Sequence, residues 1–187
     1  MTLTPNAIYQ VLASSGSGKT TLVSILAGLR GDYSGLLRFE NKTAATYKPA
    51  DWSFWRSTQA SFVYQDLRLF PELSAADNIA LAAVLSGEAA NETRVEEMAE
   101  MLGVSHKLDT VIKQLSFGQM QRMAIIRAIS RPYRWLILDE PFSHLDLKNA
   151  ETAWQLMVTD ARQKNAGILI TSLDPYPFIQ ADRLFVL

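Results

Sequence analysis

Leu115-Ser116-Phe117-Gly118-Gln119 and, a little downstream, Leu136-Ile137-Leu138-Asp139-Glu140-Pro141 decide how this chain is read. In the second stretch the apolar run Trp135 to Leu138 reads as a buried strand. It places two carboxylates at the strand's C-terminal edge, where ligands of α/β sheets collect. Asp139 suits the shell of a divalent cation. Glu140, one residue on, suits a general base or polariser for an attacking water. The plainer alternative is a strand followed by a solvated Asp-Glu-Pro turn. In the first stretch Ser116 is placed to cap a helix running through Ile129 and ended by Pro132. The N-terminus of that helix carries partial positive charge and free N–H groups, a geometry that suits a phosphate. Capping alone would also explain Ser116.

Near the start lies Ser15-Gly16-Ser17-Gly18-Lys19-Thr20-Thr21. Backbone amides in a glycine-rich turn, backed by a helix N-terminus, converge on a polyphosphate. Lys19 would reach the β and γ phosphates, and the Thr20 hydroxyl would take a Mg²⁺ position. The pattern G-x-x-x-x-G-K-[ST] opens on glycine, but here that place holds Ala13. A methyl group is tolerable there if φ stays negative. Taken by itself the stretch could be a Gly/Ser turn with a solvated lysine. With one phosphate loop already present, a second anion-binding helix end makes sense if it serves a second molecule.

Working outward, Ala7 to Leu12 reads as a strand leading into this loop. Leu22, Ile25, Leu26 and Leu29 form one face of a helix, with Gly31 as its expected stop. Leu36–Phe39 and Ser61–Tyr64 read as strands, separated by a tryptophan-bearing stretch that pattern does not assign. Ser74 with Asp77 forms a capping box opening a helix from Ala75 to Leu85. Val95, Met98, Ala99 and Leu102 give another helical stripe, stopped at Gly103. A long helix is expected over Leu147–Lys164, and strands over Gly167–Thr171 and Arg183–Leu187. The alternation implies one α/β domain, a P-loop NTPase core with a parallel sheet over about 1–69 and 131–187. A helical lobe carrying the signature stretch is inserted over about 70–130.

The 187 residues are 48% hydrophobic and 20% charged, a globular composition. The net charge of −1 gives no reason to expect nucleic acid as a partner. Without cysteine, disulfides and thiol chemistry are excluded. The start lacks a basic leader and no apolar run reaches spanning length, so a soluble, cytoplasmic protein is expected.

Together these motifs resemble the ATP-binding-cassette (ABC) ATPases over nearly the whole chain. The wording FVYQD…LFPEL is most similar to cassettes for lipoprotein release, macrolide export and cell division. The resemblance implies ATP hydrolysis with Mg²⁺ in a head-to-tail homodimer that drives an integral-membrane permease from the inner face of the cell membrane. Gln65 resembles the glutamine that touches the metal and water and reports to the membrane partner. Asp146 in Ser143-His144-Leu145-Asp146 resembles the residue that crosses the dimer interface. Thr20, Gln65 and Asp139 would serve the metal. Glu140 and Gln65 would serve catalysis together with Ser172, which stands where the family has a switch histidine. Residues Ser15 to Thr21 would bind nucleotide, with Ser116, Gly118, Gln119 and Asp146 supplied across the interface. The helix Gln119 to Ile129, with Gln121, Arg122 and Arg127, resembles the family's signature helix; plain surface charge is the alternative reading of the two arginines.

Three departures from the family qualify this reading. Ala13 replaces glycine. Serine at 172 is shorter than histidine and carries no titratable charge. The family also stacks adenine on an aromatic farther upstream than the residues preceding Lys19 reach, and such stacking is worth about 1–3 kcal/mol. Tyr9 is better read as core than as its substitute. An ATP-binding regulatory module of low turnover is therefore the alternative function.

Overall fold

The computed structural model describes residues 2–187. Five strands form one parallel sheet in the order β4-β5-β6-β1-β7: β1 Ile8–Leu12, β4 Ala60–Val63, β5 Trp135–Asp139, β6 Gly167–Ser172 and β7 Arg183–Val186. Because all five run the same way, their C-terminal ends share one edge. Gln65, Asp139, Glu140 and Ser172 follow or end those strands, as does Ala13 at the head of the glycine-rich loop, so the topology gathers this part of the expected site on one edge.

The sheet is covered on both faces, as parallel sheets are. On one face Tyr9, Val11, Phe62, Ile137 and Leu169 pack against Val23 and Leu26 of α1 (Lys19–Leu26). On the other, Val63, Leu136, Leu138, Ile168 and Ile170 join one core with α3 (Ala75–Leu85), α4 (Glu92–Met101), α5 (Phe117–Ile129) and α6 (Leu147–Gln163). Tyr9 is 3% exposed and its hydroxyl accepts from the Thr4 N–H at 2.8 Å, so it belongs to the core as expected. Asp160 of α6, 1% exposed, ties the helices together. It accepts from Arg94 of α4 at 2.9 Å, Tyr133 at 2.6 Å and Lys164 at 2.7 Å. Among the described residues no helix is long and apolar enough to cross a membrane.

Two expectations need correction. Helix α1 ends at Leu26, short of Gly31. Trp55 Nε1 donates to the Leu26 carbonyl at 2.9 Å and Arg56 donates to the Ala27 carbonyl at 2.9 Å, so the final carbonyls are capped from a distant segment. The span 36–39 forms only the short strand β2 (Arg38–Phe39), paired antiparallel with β3 (Lys42–Thr43) outside the main sheet. The unassigned stretch beyond it folds as a 3-10 turn at Ala44–Thr46, α2 (Pro49–Phe54) and a π-helical turn at Trp55–Gln59. Phe39 is its hub, with its ring centroid 4.2 Å from that of Trp55, 5.6 Å from Tyr47 and 5.7 Å from Trp52.

Gly28 is where this module meets α1. Its φ is +68°, and a Cβ built there would lie 2.1 Å from the Trp52 indole. Gly28→Ala is therefore expected to cost about 2–3 kcal/mol, from backbone strain and displacement of the ring. Chemical denaturation checks this, and an unchanged midpoint would contradict the close packing.

Candidate nucleotide site

The loop from Ala13 to Gly18 leaves β1 and enters α1. Gly16 and Gly18 have φ of +79° and +102°, and a Cβ on either would meet nothing within 4 Å. Glycine is thus required by conformation, while the space beside it is open to a ligand. Ala13 has no positive φ, is 4% exposed, and donates its N–H to the Ser172 carbonyl at 3.2 Å. The alanine is accommodated without left-handed strain. Ser17 Oγ donates to the Ser14 carbonyl at 2.6 Å and braces the turn, while Ser15 is exposed. Thr21 is half-buried one residue beyond Thr20.

Lys19 is 4% exposed. Its ammonium donates to the Ala13 carbonyl at 2.8 Å and the Ser14 carbonyl at 3.0 Å, and lies 3.2 Å from Glu140 Oε1. The alternative of a solvated lysine fails: its charge is held by the loop carbonyls beside the expected base. Thr20 Oγ1 donates to Gln65 Oε1 at 3.3 Å, bringing two expected metal-site residues together. Asp139 is fully buried. Its Oδ1 accepts from Thr171 Oγ1 at 2.8 Å, whereas Oδ2 has no partner. A buried carboxylate oxygen left bare is costly unless something binds it. The set Thr20, Gln65 and Asp139 fits Mg²⁺, which uses few protein oxygens and completes its shell with water and phosphate.

Glu140 has a φ of +47°, unusual for a non-glycine residue. Its N–H donates to the Thr171 carbonyl at 3.1 Å, which pins the turn to β6. Ser172, at the end of β6, is 1% exposed and accepts from Gln10 Nε2 at 3.1 Å. Side chains alternate along a strand, and neighbouring Thr171 faces Asp139, so the Ser172 hydroxyl lies on the opposite sheet face. Gln10 was not among the expected site residues. It sits in a mostly apolar strand where it passes for a core interruption.

Ser116 and Gln119 form the capping box of α5: Gln119 N–H donates to Ser116 Oγ at 3.3 Å and Ser116 N–H to Gln119 Oε1 at 2.9 Å. A Cβ on Gly118 would meet the His144 carbonyl at 3.0 Å, so glycine lets the 143–146 loop approach. Phe117, 60% exposed, sets its ring 4.7 Å from that of His144. Asp146 caps α6, accepting from the Asn149 N–H at 2.8 Å, and the backbone and side-chain bonds from Asn149 hold its carboxyl below the usual range. Ser116 and Gln119 bond to each other, and Gly118 faces the 143–146 loop while its carbonyl accepts from Arg122 at 3.1 Å; among the described residues none of the three hydrogen-bonds to the phosphate loop.

The arginines of α5 are not idle surface charge. Arg122 donates to the Leu102 carbonyl at 2.9 Å, finishing α4. Arg127 donates to the carbonyls of Leu67 at 2.7 Å and Arg68 at 2.6 Å, just beyond Gln65. Desolvation, then the like charge of Arg131, pull the Arg127 guanidinium down to about 10, where it stays charged at neutral pH. These bonds span 60 residues or nearly so, which sequence spacing could not reveal.

The ABC transporter family profile matches residues 1–143. The lipoprotein-releasing system ATP-binding protein LolD of Idiomarina loihiensis is 33% identical over 179 residues, covering 95% of this chain and 78% of that protein. The glucose import ATP-binding protein GlcV of Saccharolobus solfataricus is 35% identical over 187 residues, covering 96% of this chain and 51% of that protein. A solved bacterial ABC transporter cassette, the MJ0796 dimer, superposes with a TM-score of 0.89 at 25% identity, covering the whole of this chain and 83% of its own. The same cassette in a post-hydrolysis state bound to ADP and Pi superposes equally well. With a glycine-rich loop entering a helix and two adjacent carboxylates gathered on one sheet edge, this chain belongs to the ABC transporter family, as an ATPase subunit that uses ATP with Mg²⁺.

Proposed function

We propose that two copies of this chain close head to tail around two ATP molecules, and that closing and opening drive a separate membrane permease from the inner face of the membrane. The observation that carries this reading is the placement of Ser116, Gly118 and Gln119. They sit at a helix N-terminus and, among the described residues, make no hydrogen bond to their own phosphate loop, which leaves them to serve a nucleotide held by the other copy. In each site one copy supplies Lys19, Thr20, Gln65, Asp139 and Glu140. Lys19 leaves Glu140 for the β and γ phosphates, which frees the carboxylate to take a proton from the attacking water. Thr20, Gln65 and Asp139 would hold Mg²⁺, which neutralises charge on the transferred phosphate. Ser116 and the amides behind it hold the γ-phosphate from the opposite side. Asp146 crosses to the partner copy.

Relatives are named for lipoprotein release, glucose import and aliphatic sulfonate import. That spread of cargo fits a cassette that supplies work and leaves recognition to its membrane partner. A second reading, slow turnover in a regulatory role, is favoured by the burial of Ser172 and its bond to Gln10. A clear rise in turnover in Ser172→His would support it.

Mixing two defective variants tests the head-to-tail arrangement. Lys19→Met disables one half-site. Ser116→Asp keeps the helix cap, since Asp is a good N-cap, but sets a negative charge against the phosphate. Each alone should be nearly inactive, and their mixture should regain Mg²⁺-dependent turnover because one complete site forms per mixed dimer. A mixture no better than its parts would overturn the arrangement.

A further inference from the structure

The side chain of Gln121, on the first turns of α5, is 1% exposed although it is polar and long. Both ends of its amide are used on the loop that carries the hydrolytic carboxylate. Oε1 accepts from the His144 N–H at 2.9 Å, and Nε2 donates to the Glu140 carbonyl at a longer 3.4 Å. Glutamine carries a donor and an acceptor on one planar group, which matches a carbonyl and an N–H presented together.

The residue being gripped is under strain. Glu140 keeps its φ of +47° only because neighbours over-determine it. One restraint is its own N–H on β6, and another is the Ser143 N–H on its carbonyl at 3.3 Å. Gln121 is the side chain that closes on both ends of the 140–144 turn from the helix beneath. We propose that Gln121 is a positioning residue for ATP hydrolysis, fixing the turn so that the Glu140 carboxylate meets the attacking water. The inference rests on Glu140 as the base. Gln121 touches neither nucleotide nor water and acts through the main chain of the turn.

Steady-state ATP hydrolysis and ATP-dependent dimerisation of Gln121→Met and Gln121→Glu test this. Methionine keeps the length and loses both bonds, while glutamate keeps the acceptor for His144 and loses the donor to Glu140. Because misplacement on the order of 1 Å costs about 100-fold, kcat should fall by roughly 10- to 50-fold in both. KM for ATP should stay within about twofold, because the lost interaction matters only in the transition state. The ATP-bound dimer should persist in both variants. A folded Gln121→Met protein with wild-type kcat overturns the proposal, and wild-type kcat in Gln121→Glu overturns the part assigned to the Glu140 carbonyl. A matching rise in KM with loss of the dimer overturns it as well, since that marks a damaged interface. Glu140→Gln run in parallel separates the failures: normal turnover there removes the base itself, whatever Gln121 does.

Discussion

Glu140→Gln should bind ATP and form the ATP-dependent dimer, yet hydrolyse ATP at least about 100-fold more slowly, the lower bound for a positioned general base. The side chain keeps its shape, so the strained turn and its bonds to Thr171 and Gln121 survive. Lys19 loses its carboxylate partner but retains the Ala13 and Ser14 carbonyls. ATP affinity should hold or rise, because a negative charge beside the phosphates has been removed. Phosphate release together with nucleotide titration checks both halves, and equal turnover in the variant and the wild type would sink the assignment of Glu140.

Lys19→Met should do the reverse and strike binding first. A hydrogen bond to a charged group is worth about 1.5–3 kcal/mol, so losing the phosphate contact should weaken ATP binding by roughly 10- to 100-fold. The ligand-free protein pays differently. With the ammonium gone, two loop carbonyls and Glu140, whose side chain is 12% exposed, lose a shared donor. A fall of about 1–3 kcal/mol in unfolding free energy is expected. Affinity within twofold of wild type would remove Lys19 from the phosphate site.

What the sequence made legible was local. Ser74 and Ser116 cap helices at the expected positions because a hydroxyl before an apolar stripe and its partner three residues on suffice to start a helix. The buried strands ending at Asp139 and Ser172 were legible as apolar runs, and a parallel sheet then brings their ends together. What escaped depends on contacts between distant segments. Trp55 and Arg56 cap α1 across 29 residues, so the helix stops before the glycine that pattern would choose. The aromatic module around Phe39 has no period to read, since its shape comes from rings packing on one another. Arg127 reads as surface charge on any helical wheel, because its carbonyl partners lie in another segment.

Those carbonyls belong to Leu67 and Arg68, consecutive residues with φ of +59° and +46°. Left-handed backbone costs an L-residue about 1–2 kcal/mol, and here it occurs twice in succession. Neither residue is glycine, so the segment's shape is imposed from outside: Leu67 is buried, Arg68 lies over the Tyr64 ring at 3.8 Å, and Arg127 clasps both carbonyls. The segment after Gln65 is a latched spring whose catch is mounted on the signature helix.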